Sequence, residues 1–224
     1  ERHPVILSIA GSDCSGGAGI QADIKTISAL GGYAASAITA VTVQNTLGVR
    51  AVHAIPPEIV CGQIEAVMED LQPVAVKIGM VNDIQIVHVI ADCIRKYSPE
   101  HIIYDPVMVS TSGRRKLMTD EAIEEIKKKL LPLVTLVTPN IDEAKVLTGK
   151  SIQNTQDMLE AAKQLSDSYQ THILIKGGHL EGDQMCDLLY SPDHTYYIYE
   201  EKKIESKNLH GTGCTLSSAI ATNL

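Results

Sequence analysis

Short apolar runs alternate along the chain with stretches whose apolar residues recur every three or four positions, and glycine, proline or small polar residues mark most junctions. Residues 5–10 form an apolar run that stops at Gly11 and predict a buried strand. Ile20, Ile24, Ile27 and Leu30 then recur at helical spacing, so strand, glycine loop and helix follow one another. Residues 34–43 predict a second strand ending at Gln44-Asn45-Thr46. Pro56-Pro57 opens a helix with Val60, Ile64, Val67, Met68 and Leu71 on one face, proline being suited to a first helical turn.

The rhythm repeats through the middle of the chain. Residues 74–78 read as a strand ending at Gly79-Met80, Ile84, Val87, Ala91 and Ile94 mark a helix, and residues 102–104 make a strand ending at Asp105-Pro106-Val107. Residues 119–131 carry carboxylates early and lysines late, as the helix dipole favours. A strand over 133–137 ends at Thr138-Pro139-Asn140 and leads into a helix containing Glu143. Residues 155–168 are helical, and 172–175 form a strand ending at Lys176-Gly177-Gly178. Residues 185–206 break the pattern: Tyr190, Tyr196, Tyr197 and Tyr199 flank Ser191-Pro192-Asp193. This predicts antiparallel structure, either a flap over a site or an edge hairpin closing the sheet.

Alternating strands and helices predict an α/β fold, a mainly parallel sheet with helices on both faces and a small antiparallel flap. Ligands bind beyond the carboxyl ends of the strands in such sheets. Gln44, Met80, Asp105, Asn140 and Lys176 all fall there. Two glycine-rich stretches reach the same rim. One runs from Gly11 to Gly19, with Asp23 a turn into its helix, where the carboxylate could accept hydrogen bonds from a ligand. The other is Gly211-Thr212-Gly213-Cys214, opening a helix of small residues whose first backbone N–H groups make an anion cup, with phosphate the expected guest. The spacing of the first loop gives neither G-x-x-x-x-G-K-[ST] nor G-x-G-x-x-G, which disfavours a nicotinamide cofactor.

Composition narrows the partners. The 224 residues suit one domain with an aliphatic core, since there is no Phe or Trp. A net charge of -8 disfavours nucleic acid or an anionic membrane and leaves a small-molecule substrate. Cys14, Cys61, Cys93, Cys186 and Cys214 lie far apart without zinc spacing, which points to a reducing cytoplasm. There is no apolar run of about 18 residues and no leader-like segment, so neither a membrane span nor a signal peptide is expected.

Residues 9–23 (from Ile9-Ala10-Gly11-Ser12-Asp13), Thr42-Val43-Gln44-Asn45-Thr46, Asp105-Pro106-Val107-Met108, Thr138-Pro139-Asn140-Ile141-Asp142-Glu143-Ala144, Lys176-Gly177-Gly178-His179 and Gly211-Thr212-Gly213-Cys214-Thr215 together resemble the hydroxymethylpyrimidine/phosphomethylpyrimidine kinases of the ribokinase-like superfamily. The resemblance covers essentially the whole chain and implies a three-layer α/β/α fold. It implies ATP- and magnesium-dependent phosphorylation of 4-amino-5-hydroxymethyl-2-methylpyrimidine, then of its monophosphate, in thiamine biosynthesis, by a cytoplasmic homodimer.

By position, the resemblance implies a pyrimidine pocket of Gly11, Ala18, Asp23, Gln44, Met80 and Val107. It also implies nucleotide contacts from Asp105, Asn140, Glu143, Lys176 and Thr212, magnesium near Glu143 and Asp105, and catalysis by Cys214 with Gly211, Thr212 and Gly213. Cys214 stands where most of the superfamily has aspartate, and a thiol at a helix N-terminus can be acidified, so it is read either as a base or as a residue that only shapes the pocket. Family chains continue past this motif, so the C-terminal part of the domain, with adenine contacts, is expected to lie beyond Leu224. Pyridoxal or pyridoxine kinase is the alternative reading, since that substrate is also a flat nitrogen ring with a hydroxymethyl arm. A non-catalytic pyrimidine or nucleotide sensor is a second alternative.

Overall fold

Side-chain alternation along the strands decides the layers. In β1 (Val5–Asp13), Leu7 and Ile9 belong to one buried apolar cluster and Ile6 to another, because successive residues face opposite sides of the sheet. A computed structural model describes residues 3–81, 83–108, 118–177, 184–202 and 211–224. After β1 come α1 (Gly19–Ala29), β2 (Tyr33–Asn45), β3 (Gly48–Ala54), α2 (Pro57–Asp70), β4 (Ala75–Ile78), α3 (Ile84–Tyr97), β5 (His101–Tyr104) and α4 (Asp120–Glu125). The chain continues with β6 (Leu136–Val137), α5 (Ile141–Thr148), α6 (Thr155–Tyr169), β7 (His172–Ile175), β8 (Gln184–Tyr190), β9 (Tyr196–Lys202) and α7 (Thr212–Thr222).

The strands form one sheet in the order β3-β2-β1-β4-β5-β6-β7-β8-β9. Neighbours from β2 to β7 are parallel, while β3 and the β8–β9 hairpin add antiparallel edges. One face carries the larger core: Val76, Ile78, Ile102 and Tyr104 from the strands pack with Val60 and Ile64 of α2, Ile86 and Ile90 of α3, and Met158 and Ala161 of α6. The other face is covered by α1 and α7, where Ile6, Ile27, Ala75, Ile103 and Ala221 form a much smaller apolar cluster. Helix starts follow local chemistry. Asp83 accepts from the Ile86 amide and Asn154 from the Asp157 amide, each satisfying an otherwise unpaired first-turn donor.

One element is added and others are adjusted. Residues 48–54, given no element by their pattern, form β3, an edge strand whose Arg50, Ala51, His53 and Ala54 are exposed and which is held by pairing with β2. Its apolar residues, Val49, Ala51, Val52 and Ala54, keep no clean alternation. The helix expected over 119–131 is α4 followed by a π-helical turn at Ile126–Leu130 and a 3-10 turn at Leu131–Leu133. The following strand shortens to β6, since the 3-10 turn takes up Leu133. Of the two readings of the tyrosine-rich segment, the edge hairpin is the one found: β8 pairs with β7, and Tyr190 stacks on Tyr196 at 6.4 Å. Its residues 203–206 lie outside the described residues.

Candidate active site

Parallel pairing brings six strand ends to one rim, and Asp13 organises the first of them. Its buried carboxylate accepts from the amides of Ser15 (2.8 Å), Gly17 (3.1 Å) and Ala18 (2.8 Å) and from the Ser15 hydroxyl (2.7 Å). Three backbone donors on one carboxylate bend the loop of residues 13–18 back over the end of β1. The Gly17 carbonyl then meets Gly211, which caps α7 in the left-handed region at φ 78°. A Cβ on Gly211 would lie 1.7 Å from that oxygen, so the two loops interlock at a spot with room only for hydrogen.

The cup rests on charge. A Cβ on Gly213 would sit 3.0 Å from Asp105 Oδ2 and 3.2 Å from Lys176 Nζ. Lys176 donates to Asp105 Oδ1 at 3.0 Å, and the Thr138 hydroxyl donates to the same oxygen at 3.2 Å. Asp105 is nearly buried and Lys176 partly exposed, so the lysine is the outward partner. Asn140 and Glu143 form a reciprocal capping box at the start of α5: the Glu143 amide donates to Asn140 Oδ1 (2.8 Å) and the Asn140 amide to Glu143 Oε2 (2.9 Å). Burial, then the negative charge of Asp105, pushes the Glu143 carboxyl up to about 7, against the opposing pull of Lys176. Two like-charged carboxyls held this way form an oxygen donor set that suits a hydrated divalent cation.

The expected pocket residues gather along the opposite stretch of rim. Met80 is almost fully buried, its carbonyl accepts from Thr39 Oγ1 at 2.8 Å, and its Cε would lie 3.1 Å from a Cβ on Gly11. Ala18 stands beside Gly211, and Val107 follows Asp105 in a tight turn, its amide donating to the Asp105 carbonyl at 2.8 Å. Gln44 sits at a register shift between β2 and β3, its carbonyl accepting from the Cys14 thiol at 3.2 Å. Among the described residues its side-chain amide makes no hydrogen bond, leaving both ends available to a ligand. Thr212 opens α7 between the two cup glycines. Gly178, His179 and residues 207–210 of the motifs lie outside the described residues.

Two expected residues remain, Cys214 and Asp23. Asp23 belongs to α1. It is fully buried, and each oxygen already has two donors: Oδ1 accepts from Lys77 (3.0 Å) and Ser218 (2.7 Å), and Oδ2 from Lys77 (2.9 Å) and Ser8 (2.5 Å). The Cys214 thiol is not acidified. Burial raises its pKa; Lys77 and a Gly19 backbone hydrogen bond oppose this, and the carboxylates of Asp23 and Asp105 add to it. Lys77 and Ser218 were missed by the sequence reading. A lysine inside an otherwise apolar four-residue strand was the available signal. Burial alone would lower the pKa of Lys77, but Asp23, helped by Cys214 and Asp105, more than reverses this, so it is an ammonium.

The sequence pattern of the family described as phosphomethylpyrimidine kinase matches residues 13–224. A hydroxymethylpyrimidine/phosphomethylpyrimidine kinase of Rhizobium meliloti (strain 1021) is 48% identical over 221 residues, which cover 98% of this chain and 82% of that protein. The crystal structure of a phosphomethylpyrimidine kinase from Clostridium difficile 630 superposes with a TM-score of 0.86 at 45% identity, covering 98% of this chain and 90% of the other. A Staphylococcus aureus pyridoxal kinase in complex with AMP-PCP and pyridoxal gives a TM-score of 0.88 at 32% identity, covering 100% of this chain and 80% of that one.

The interlock makes Gly211→Ala more damaging than Gly149→Ala, although both glycines have φ near 70–80° and only the second has open space around it. By urea unfolding, Gly149→Ala is expected to cost about 1 kcal/mol and Gly211→Ala at least about 3 kcal/mol, the difference measuring the clash. In a carbon-13 NMR titration Glu143 should show a midpoint near pH 7. Asp105→Asn, which removes the repelling negative charge, should move that midpoint down.

Proposed function

The chain belongs to the phosphomethylpyrimidine kinase family, and from that premise we propose that it transfers the γ-phosphoryl group of ATP to the hydroxymethyl group of 4-amino-5-hydroxymethyl-2-methylpyrimidine, and then to the monophosphate so formed, in thiamine biosynthesis. The observation that carries the site assignment is the stacking of Gly213 on the Asp105–Lys176 pair. It sets a turn of backbone donors, a lysine and two carboxyl groups around one point, the set a phosphoryl transfer needs.

In this reading Gln44 hydrogen-bonds the edge of the aminopyrimidine while Met80 and Val107 pack on its faces, with Gly11 and Ala18 giving close approach. The amides of residues 211–214 receive the transferring oxygens, and Lys176 and Thr212 hold the nucleotide phosphates. Asp105 and Glu143, with Asn140 beside them, would hold hydrated magnesium, which supplies charge neutralisation at those phosphates. Cys214 shapes the pocket: a thiol raised by burial is protonated at neutral pH, and a loose phosphoryl transfer needs positioning more than it needs a base. A single-domain cytoplasmic homodimer is proposed with this activity.

Pyridoxal phosphorylation is the second reading, favoured by the likeness to the Staphylococcus aureus pyridoxal kinase. ATP turnover with magnesium, offering hydroxymethylpyrimidine, its monophosphate and pyridoxal separately and identifying products by mass, decides between them. The expected outcome is turnover of both pyrimidines with pyridoxal at least about tenfold lower in kcat/KM, the scale of one lost polar contact. Pyridoxal as the best substrate would move the assignment to the vitamer. Cys214→Ser is expected to keep kcat within about tenfold, and a loss of about 1,000-fold would make the thiol the base after all.

A further inference from the structure

The N-terminus of α7 is capped by Gly211, which has no side chain to hydrogen-bond the first turn, and that turn carries no acidic residue. The hydroxyls of Thr215, Ser217 and Thr222 bond back to α7's own carbonyls. Ser218 instead reaches across to Asp23 Oδ1 at 2.7 Å. It lies four residues after Cys214, on the same side of the helix, and is fully buried. Asp23 is fixed in turn by Lys77 of β4 and Ser8 of β1, neighbours in the parallel register.

We propose that Ser218 is a positioning residue for phosphoryl transfer, holding the cup of residues 211–214 in register with the Asp105–Lys176 pair through the buried Asp23–Lys77 anchor. This rests on the kinase reading above. The Gly17 carbonyl and the Asp105–Lys176 pair hold the cup from one side, and this contact ties the helix behind it to a charge pair that is fully buried and joined to two strands. Asp23 thereby acts at a distance from the pyrimidine rather than by touching it.

Thr222 supplies the internal control. Its hydroxyl is also in α7, but it bonds to the Ser218 carbonyl and does not reach Asp23. In the full chain, Ser218→Ala is expected to lower kcat about tenfold with KM for the pyrimidine within about twofold, while Thr222→Val, the control variant, stays within about twofold in both. Ser218→Thr should restore most of the loss. Without substrates, iodoacetamide labelling followed by peptide mass analysis should show Cys214 reacting about fivefold faster in Ser218→Ala, relative to exposed Cys14 in the same molecule, and unchanged in the control. Equal effects of Ser218→Ala and the control variant, or none from either, overturn the proposal. If Ser218→Ala does not fold, Ser218→Cys keeps the volume, weakens the hydrogen bond and carries the same contrast. Wild-type protein inert toward every substrate would sink the kinase reading instead, with the labelling contrast still deciding the anchor.

Discussion

A single buried ion pair, Asp23 with Lys77, joins the parts from which the site is made. Both side chains are inaccessible to solvent, and each Asp23 oxygen receives two donors, so the desolvation of two charges is met with nearly complete hydrogen bonding. Losing one partner from such a pair costs about 3–5 kcal/mol, mostly because the other is left charged and alone. The location matters as much as the energy. This face of the sheet has only a small apolar cluster beneath α1 and α7, whereas the opposite face has most of the core. Apolar packing is tolerant of small slides, but a bidentate charge contact is not. The registry of α1 and α7 on the strands is therefore set at this polar point, directly under the two glycine loops.

Those loops depend on one another in a way neither could supply alone. Asp13 gathers three amides and pins the first loop, and the pinned Gly17 carbonyl then defines the wall against which Gly211 fits. The second loop meets the Asp105–Lys176 pair on its other side. A turn fixed between a carbonyl and an ion pair has its N–H groups aimed before any ligand arrives. Preorganisation of that kind is what allows backbone dipoles to stabilise developing charge without reorganising.

Much of this was legible in one dimension. The recurrence of apolar run, small-residue junction and amphipathic helix gives parallel strands, and parallel strands place Gln44, Met80, Asp105, Asn140 and Lys176 on a common rim. What was not legible is partnership across distance. Asp23 and Lys77 are 54 positions apart, and Asp23 and Ser218 are 195 apart, so nothing local says that the carboxylate is saturated from inside. The same blindness left Cys214 open between base and pocket wall: a helix N-terminus can acidify a thiol, but burial raises this one, and Asp23 and Asp105 add to that against Lys77 and a Gly19 backbone hydrogen bond. β3 escaped for a different reason: its apolar residues, Val49, Ala51, Val52 and Ala54, keep no clean alternation, and a mostly exposed edge strand needs none.

The pairing of charges also explains how a chain of net charge -8 can receive a polyanion. Surface carboxylates beyond about 8–10 Å act weakly at physiological ionic strength, so the local balance decides. At the rim, Asp23 is balanced by Lys77 and Asp105 by Lys176, while the Cys214 thiol is neutral and Glu143 is near half-protonated at neutral pH. The resting site is thus close to neutral despite three carboxyl groups and a thiol. An aspartate in place of Cys214 would add a full negative charge beside Asp23 and Asp105, with Lys77 already committed. With cysteine there, the site stays near neutral, and the backbone amides of residues 211–214 are left as the dipoles an anion would meet. In the function proposed above, the carboxyl groups of Asp105 and Glu143 would share a divalent cation with the phosphate.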